Sequence, residues 1–121
     1  MERRYAGTML ALALHQIDAA YWQEWDMFHV PGGIQGFLVF NLLALALLFR
    51  GYRAVVLRAR FAGRWAIACG ALGVATCLLH AGFFWAGHEA FALPLSIATL
   101  AACLVMGAAL LAAGLREVRK P

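Results

Sequence analysis

The sequence has few charged side chains, and this scarcity excludes an ordinary water-soluble protein. Charged residues make up 13% of the 121 residues, whereas hydrophobic residues make up 64%. Soluble domains carry about 25% charged residues and about half apolar ones. The composition therefore indicates insertion into a membrane, and the length allows a single domain.

Cysteine is also scarce, and the familiar catalytic motifs are missing. The three cysteines, Cys69, Cys77 and Cys103, show no Cys-x-x-Cys spacing, so the sequence indicates neither a disulfide framework nor a zinc knuckle. It contains no P-loop, no Gly-x-Gly-x-x-Gly, no Ser-His-Asp pattern and no His-Glu-x-x-His or Glu-x-x-His pair. We predict that the cysteines are small packing residues inside helices.

The charges that are present are sorted by sign along the chain. All four His and four of the six acidic residues lie on one side of the hydrophobic pattern. All ten basic residues lie on the other side: Arg3, Arg4, Arg50, Arg53, Arg58, Arg60, Arg64, Arg116, Arg119 and Lys120. The positive-inside rule predicts that the basic clusters are cytoplasmic. Nucleic-acid binding is not indicated, because these bases flank apolar segments instead of forming a basic stripe on a soluble domain.

Four apolar segments are long enough to be predicted as membrane spans, at residues 5–22, 31–49, 65–87 and 93–115. Pro31 and Pro94 suit the first turns of two of these helices. We predict an all-α fold, a four-helix transmembrane bundle with cytoplasmic N- and C-termini, forming one integral domain over residues 1–121 in the bacterial inner membrane. A signal peptide cleaved near Ala20 is an alternative, but the polar residues from His15 to Asp18 fit poorly before a cleavage site.

The third and fourth segments are rich in small residues, among them Gly70, Gly73, Gly107 and Gly114. Small residues let helices approach closely in lipid. We predict that these residues pack the bundle, and a homodimer formed through the same faces is the alternative.

Ionisable side chains inside the first and third segments predict a polar site. His15 and Asp18 share a face of the first helix because they are three residues apart, and His80 lies at a similar depth in the third segment. Placing such groups in lipid is costly, so we expect them to point into the bundle. We predict His15 and His80 as acid–base residues or metal ligands, and Asp18 as a third metal ligand or as the group that orients His15.

Further polar and aromatic residues at the same end of the bundle complete the predicted site. Glu24 and His88 are predicted as catalytic residues that gate or complete it. Asn41 and Trp25 are predicted to contact a cofactor. This crowding of ionisable groups near a membrane interface, and not any single residue, indicates a site.

The chemistry of these side chains restricts the function without fixing it. Histidine with carboxylate suits Zn²⁺ or Fe²⁺, a haem between His15 and His80 is conceivable, and acid–base catalysis without a metal stays open. We predict a membrane-embedded enzyme or metal- or cofactor-binding protein that acts on a lipid or another apolar small molecule. The alternatives are a small proton or metal carrier and an accessory subunit of a larger membrane complex.

Two short segments resemble a known family signature. Residues 15–19 (HQIDA) and 24–28 (EWDMF) are similar to the His-x-x-Asp-Ala and Glu-Trp-x-Met-Phe elements of an uncharacterised family of small bacterial four-span membrane proteins. The chain resembles more loosely the HXXEE membrane proteins, whose motifs have been taken to suggest enzymatic activity. It departs from them in having one carboxylate in place of two, and Leu45 in place of a histidine four residues after Asn41. The resemblance supports His15, Asp18, Glu24 and Trp25 as site residues and implies no substrate.

Overall fold

The structure, a computed structural model, describes residues 1–120 and contains five helices and no strands in that range. The helices are α1 (Glu2–Tyr21), α2 (Glu24–Met27), α3 (Gly33–Val56), α4 (Ala62–Trp85) and α5 (Pro94–Val118). The prediction of four helices is therefore wrong. The additional helix, α2, forms because the chain between α1 and α3 coils into a short turn of helix after Gln23 adopts a left-handed conformation, with φ of 53°.

Among the described residues, three helices are long and apolar enough to span a membrane, namely α3, α4 and α5 with 24, 24 and 25 residues. The helix α1 is not among them, because it begins with Glu2, Arg3 and Arg4 and carries a polar group from His15 to Asp18. The chain is a multi-pass membrane protein. The predicted placement of both termini in the cytoplasm depended on four spanning helices, and we do not retain it.

The helix α1 turns its polar face towards the other helices and an apolar face outwards. Its inward face includes the buried residues Thr8, Leu12 and His15. Its outward face consists of the exposed residues Leu10, Leu14, Ile17 and Tyr21. The Tyr5 hydroxyl donates a hydrogen bond to the carbonyl of Leu48 in α3, at 3.1 Å. Thr8 and His15 are therefore enclosed by the other helices, whereas the charged residues Glu2, Arg3 and Arg4 at the start of α1 are exposed.

The helices α4 and α5 pack backbone against backbone through glycines. A Cβ atom added at Gly107 would lie 2.8 Å from the carbonyl oxygen of Gly70 and 3.1 Å from the Cα of Gly73. One added at Gly114 would lie 2.9 Å from the carbonyl oxygen of Gly63. These glycines are used for contact within the chain, as the packing prediction required.

The helix α3 lies at the edge of the bundle, and few of its residues are buried. Its start differs from the prediction by two residues, because the reversal after Pro31 needs left-handed glycines: φ is 89° at Gly32 and 54° at Gly33. Its buried residues are Phe37, Leu48, Gly51 and Val55. This loose packing leaves a groove between α3 and α4 with α1 beneath it.

The three cysteines are free thiols, and Cys69 and Cys103 are buried while Cys77 is half-buried. Cys69 and Cys103 belong to the apolar core around Leu110 and Tyr5. Both occupy packing positions in this core, as predicted for small residues inside helices.

Candidate metal centre

Three buried side chains from three different helices meet at one end of the bundle. They are His15 of α1, Glu24 of α2 and His80 of α4, and their potential ligand atoms all lie within 4.8 Å of one another. The Glu24 carboxylate lies between the two rings, with Oε2 3.5 Å from Nε2 of His15 and Oε1 3.7 Å from Nε2 of His80. The two imidazole centroids are 4.6 Å apart. We call this group the His–Glu–His cluster.

The short helix α2 is the element that brings Glu24 to the two histidines. After α1 ends at Tyr21, left-handed Gln23 reverses the chain and the next residue, Glu24, begins α2. The backbone N–H of Val30 donates to the carbonyl of Trp25 at 2.8 Å and closes the turn. Glu24 is 9% exposed as a result. A carboxylate that follows α1 in sequence is thereby folded back into the bundle.

The hydrogen bonding of His80 indicates which of its ring nitrogens carries a hydrogen and which one faces Glu24. Nδ1 of His80 contacts the carbonyl oxygen of Thr76 at 2.8 Å. Because a carbonyl oxygen only accepts, Nδ1 carries the hydrogen, and in the neutral ring Nε2 has a lone pair. In the neutral ring that lone pair faces a carboxylate oxygen, so two acceptors oppose each other unless a proton or a metal ion lies between them. Metal-binding histidines commonly donate their second N–H in this way.

Several atoms of the cluster have no hydrogen-bond partner among the described residues. They include Nε2 of His15, Nε2 of His80 and Oε2 of Glu24, all buried. The two N···O separations, 3.5 and 3.7 Å, exceed the range of about 2.7–3.2 Å for N–H···O bonds. Two ligands each ~2.0 Å from a tetrahedral zinc ion lie about 3.3 Å apart. The spacing is therefore closer to that of metal ligands than to that of a direct hydrogen bond.

A cavity of about 310 Å³ adjoins the His–Glu–His cluster. Apart from the cluster and a few neighbouring polar groups, its wall is apolar and includes Phe37 and Phe40 of α3 and Leu72 and Leu79 of α4. A cavity of this size falls within the range of small-molecule sites, which combine apolar walls with a few convergent polar groups. The cluster is thus accessible from the groove between α3 and α4.

Phe91, which the sequence did not single out, packs against both histidines. Its ring centroid lies 4.5 Å from that of His80 and 5.4 Å from that of His15, and the residue is 4% exposed. It has a left-handed backbone with φ of 65°, which is unusual for a bulky side chain. Nothing in the apolar run before Pro94 signals this role.

The structure does not bring Asp18 into the cluster. Its Oδ1 accepts a hydrogen bond from Nε1 of Trp22 at 3.2 Å, and Nδ1 of His15 has no partner among the described residues. Asp18 therefore does not orient His15 as we predicted. The carboxylate that meets the two histidines belongs to Glu24, which we predicted as a catalytic residue and not as a metal ligand.

The remaining predicted residues lie outside the cluster. Trp25 lines the cavity and packs on Phe37, with ring centroids 5.4 Å apart. Asn41 donates to the carbonyl of Phe37 at 2.9 Å and lines a separate small cavity of about 50 Å³. His88 is exposed and packs edge-on against Phe83. Of these three residues, only Trp25 faces the cluster's cavity.

The fold and the site together define a multi-pass membrane protein with a buried His/Glu group that could hold a metal ion. Residues 1–117 match the family of unknown function DUF6713, so the chain belongs to that family. The prediction that the chain belongs to a family of unknown function is confirmed, whereas the signature motif and the bacterial origin stay predictions. No curated protein and no solved structure matches the chain significantly.

Proposed function

We propose that the protein is a membrane-embedded metalloprotein that binds one Zn²⁺ or Fe²⁺ ion through Nε2 of His15, Nε2 of His80 and the carboxylate of Glu24. The observation that supports this most directly is the set of buried, unpartnered ligand atoms from three helices at metal-like spacing. Two imidazoles and one carboxylate occur in catalytic zinc sites and in non-haem Fe²⁺ sites. Haem is less well supported, because the two imidazole centroids are only 4.6 Å apart and leave no space for an iron porphyrin between the rings.

The same arrangement supports an enzyme acting on a lipid or another apolar small molecule. Three protein ligands leave a coordination position open, and the neighbouring cavity of about 310 Å³ offers space for a substrate beside it. A metal ion held by these three residues would polarise a carbonyl group or lower the pKa of a bound water molecule. We place the protein in the bacterial inner membrane, in keeping with its helical spans and with the bacterial family that its HQIDA and EWDMF segments resemble.

The rest of the bundle favours a fixed metal site over a carrier. Towards the basic end, the Thr8 hydroxyl donates to the carbonyl of Arg4 and the Tyr5 hydroxyl to that of Leu48. Leu110 and Cys103 fill the core beside them and are fully buried. A carrier needs polar groups that continue across the membrane, and the described residues provide no such series below the cluster.

Metal titration tests the proposal. Protein purified in detergent is stripped with a chelator and titrated with Co²⁺, whose visible absorption reports the geometry and donors of its ligands, and then with Zn²⁺ in competition. We expect one equivalent per chain for wild type. His15→Ala and His80→Ala should each weaken binding by at least roughly a hundredfold, since even residues that only support a ligand contribute about 10–100-fold.

His88→Ala is the matched control, because His88 lies at the same end of the bundle but is exposed and outside the cavity. Circular dichroism checks that each variant keeps its helices. Wild type that takes up no Co²⁺ or Zn²⁺, or His88→Ala weakening binding as much as His80→Ala, would contradict the proposed metal site.

A further inference from the structure

An apolar groove leads from the His–Glu–His cluster along the outside of the bundle between α3 and α4. It consists of the cavity of about 310 Å³ beside the cluster and a second cavity of about 410 Å³, with Phe40 and Leu72 in the walls of both. The second cavity reaches Trp65. The α4 segment from His80 to Trp65 extends ~22 Å at 1.5 Å per residue. The groove is therefore long, narrow and polar only at the cluster end.

The groove is open sideways along its length. Phe40, Leu43 and Leu47 of α3 border it and are 54%, 61% and 56% exposed. The only hydroxyl in the lining of the second cavity is that of Tyr5, which already donates to the carbonyl of Leu48. In a spanning protein this opening faces the hydrocarbon of the bilayer, so an occupant can move in laterally.

The size of the groove restricts which molecules can bind in it. A helix ~10 Å wide and ~22 Å long occupies roughly 1,700 Å³, several times the volume of either cavity. A partner helix or a second copy of the chain is therefore too large to enter the groove. A single hydrocarbon chain is much thinner than a helix, and its size suits cavities of about 310 and 410 Å³.

The charge at the polar end of the groove favours a particular head group on the bound molecule. A divalent ion held by two neutral imidazoles and the Glu24 carboxylate has a net charge of +1 in its ligand shell. Asp18 is close enough to act electrostatically on His80, but it accepts a hydrogen bond from Trp22 and supplies no ligand atom to the cluster. A buried net charge is costly unless it is paired, so a ligand with one negative charge on oxygen complements the open position.

We propose that the groove binds a single-chain fatty acid from the bilayer, with its carboxylate at the open metal position and its chain lying past Phe40 and Leu72. This proposal rests on the proposed function, because the carboxylate is held by the metal. It deepens that function by naming the substrate class as single-chain carboxylic acids.

Photo-crosslinking tests the inference in the full chain. The protein is placed in phosphatidylcholine nanodiscs, with Zn²⁺ or after chelator treatment, together with hexadecanoic acid carrying a diazirine near mid-chain. Peptide mass spectrometry then locates the labels after illumination. We expect labelling of the groove-facing parts of α3 and α4 to rise roughly tenfold with Zn²⁺, equivalent to about 1.4 kcal/mol. A probe with the same chain and a trimethylammonium head should show no dependence on Zn²⁺.

Two substitutions on α4 separate the groove from the general lipid surface. Ala68→Phe fills part of the second cavity, whereas Leu78→Phe adds a ring at a residue that is 60% exposed and outside the groove. We expect Ala68→Phe to remove most of the Zn²⁺-dependent labelling while Zn²⁺ binding stays normal, and Leu78→Phe to change neither. Zn²⁺ content is measured in the same samples.

The outcomes distinguish the two proposals. Wild type without bound Zn²⁺ overturns the metal site and this inference together. Two results overturn the fatty-acid inference alone when Zn²⁺ is bound. One is labelling of the groove that does not depend on the metal, and the other is labelling at Leu42 and Leu78 on the outer surface that is as strong as labelling in the groove.

Discussion

Glu24 and Asp26 are two residues apart, yet only Glu24 belongs to the site. Glu24 is buried between two imidazoles, whereas Asp26 is exposed on the other side of α2. A buried carboxylate is stable only when it is paired or coordinates a metal. Glu24 is therefore the residue whose charge most depends on the presence of a cation in the cluster.

Replacing Glu24 by glutamine removes that charge and keeps the shape of the side chain. We expect Glu24→Gln to weaken Co²⁺ binding by at least roughly a hundredfold, on the scale by which ligands and their supporting residues contribute. Asp26→Asn makes the same chemical change at the exposed position and should bind like wild type. Equal affinities for the two variants, measured by absorption titration, would mean that Glu24 is not a ligand.

Phe91 supports the cluster by packing rather than by chemistry. Because its ring is buried against His80 and His15, we expect Phe91→Ala to lower the free energy of unfolding by about 3 kcal/mol, the low end for buried Phe-to-Ala changes. Phe84→Ala removes the same ring at a residue that is 60% exposed and should cost much less. Unfolding in mixed micelles measures both, and similar losses would argue against a packing role.

Part of the site follows from sequence spacing and part does not. His15 and His80 lie at similar depths below the ends of their helices, and the structure brings their rings together. Asp18 was expected to join His15 because both lie on one helical face, but Trp22, four residues further on, supplies its hydrogen-bond donor. Which carboxylate enters the cluster depends on the left-handed backbone of Gln23, and a glutamine does not signal such a turn.

At the scale of the elements, the helices differ in how closely they pack. The α4–α5 pair is joined through backbone contact at glycines, whereas α3 has only Phe37, Leu48, Gly51 and Val55 buried. His80 therefore lies on a tightly packed pair, and the groove lies on the loosely packed side. Such a division suits a fixed metal site beside an adaptable substrate path.

Two glycine substitutions test the close packing of α4 and α5. A Cβ at Gly107 would lie 2.8 Å from the carbonyl oxygen of Gly70, so Gly107→Ala should destabilise the fold by about 1–3 kcal/mol. Gly82 in α4 has nothing within 4 Å of an added Cβ, so Gly82→Ala should be neutral or stabilise by up to ~1 kcal/mol through helix propensity. Equal effects on unfolding would contradict the backbone contact.

The long helices were predictable because apolar runs of this length have few alternatives, and Pro94 is the first residue of α5 as expected. The helix α2 was not predictable, since its four residues are too short to show a period. Its formation depends on the closing hydrogen bonds of the turn and on burial of Glu24. These are tertiary features.

At the scale of the whole molecule, an apolar exterior surrounds a small polar centre. Composition alone predicts this arrangement, because 64% hydrophobic residues exceed what a soluble core can hide. Composition alone did not predict the number of spanning helices. The polar residues of α1 lower its mean hydropathy, so α1 is not among the helices apolar enough to span. Whether a segment spans depends on which side chains the other helices enclose.

Metal binding should stabilise the whole fold, because the His–Glu–His cluster joins α1, α2 and α4. We expect Zn²⁺ at about 100 times its dissociation constant to raise the free energy of unfolding by about 2.7 kcal/mol. His80→Ala should show no such increase, whereas His88→Ala should behave like wild type. Thermal unfolding in detergent with and without Zn²⁺ measures the change, and equal stabilisation of His80→Ala would place the metal elsewhere.

The three spanning helices are nearly equal in length, with 24, 24 and 25 residues. At 1.5 Å per residue each extends ~36 Å, which exceeds a hydrocarbon core of about 30 Å. Hydrophobic mismatch in a thin bilayer is relieved by tilt, and α3, the least firmly held of the three, can tilt most freely. Membrane thickness should then change how wide the access to the cluster is. A comparison of the protein in short- and long-chain phosphatidylcholine nanodiscs would test this.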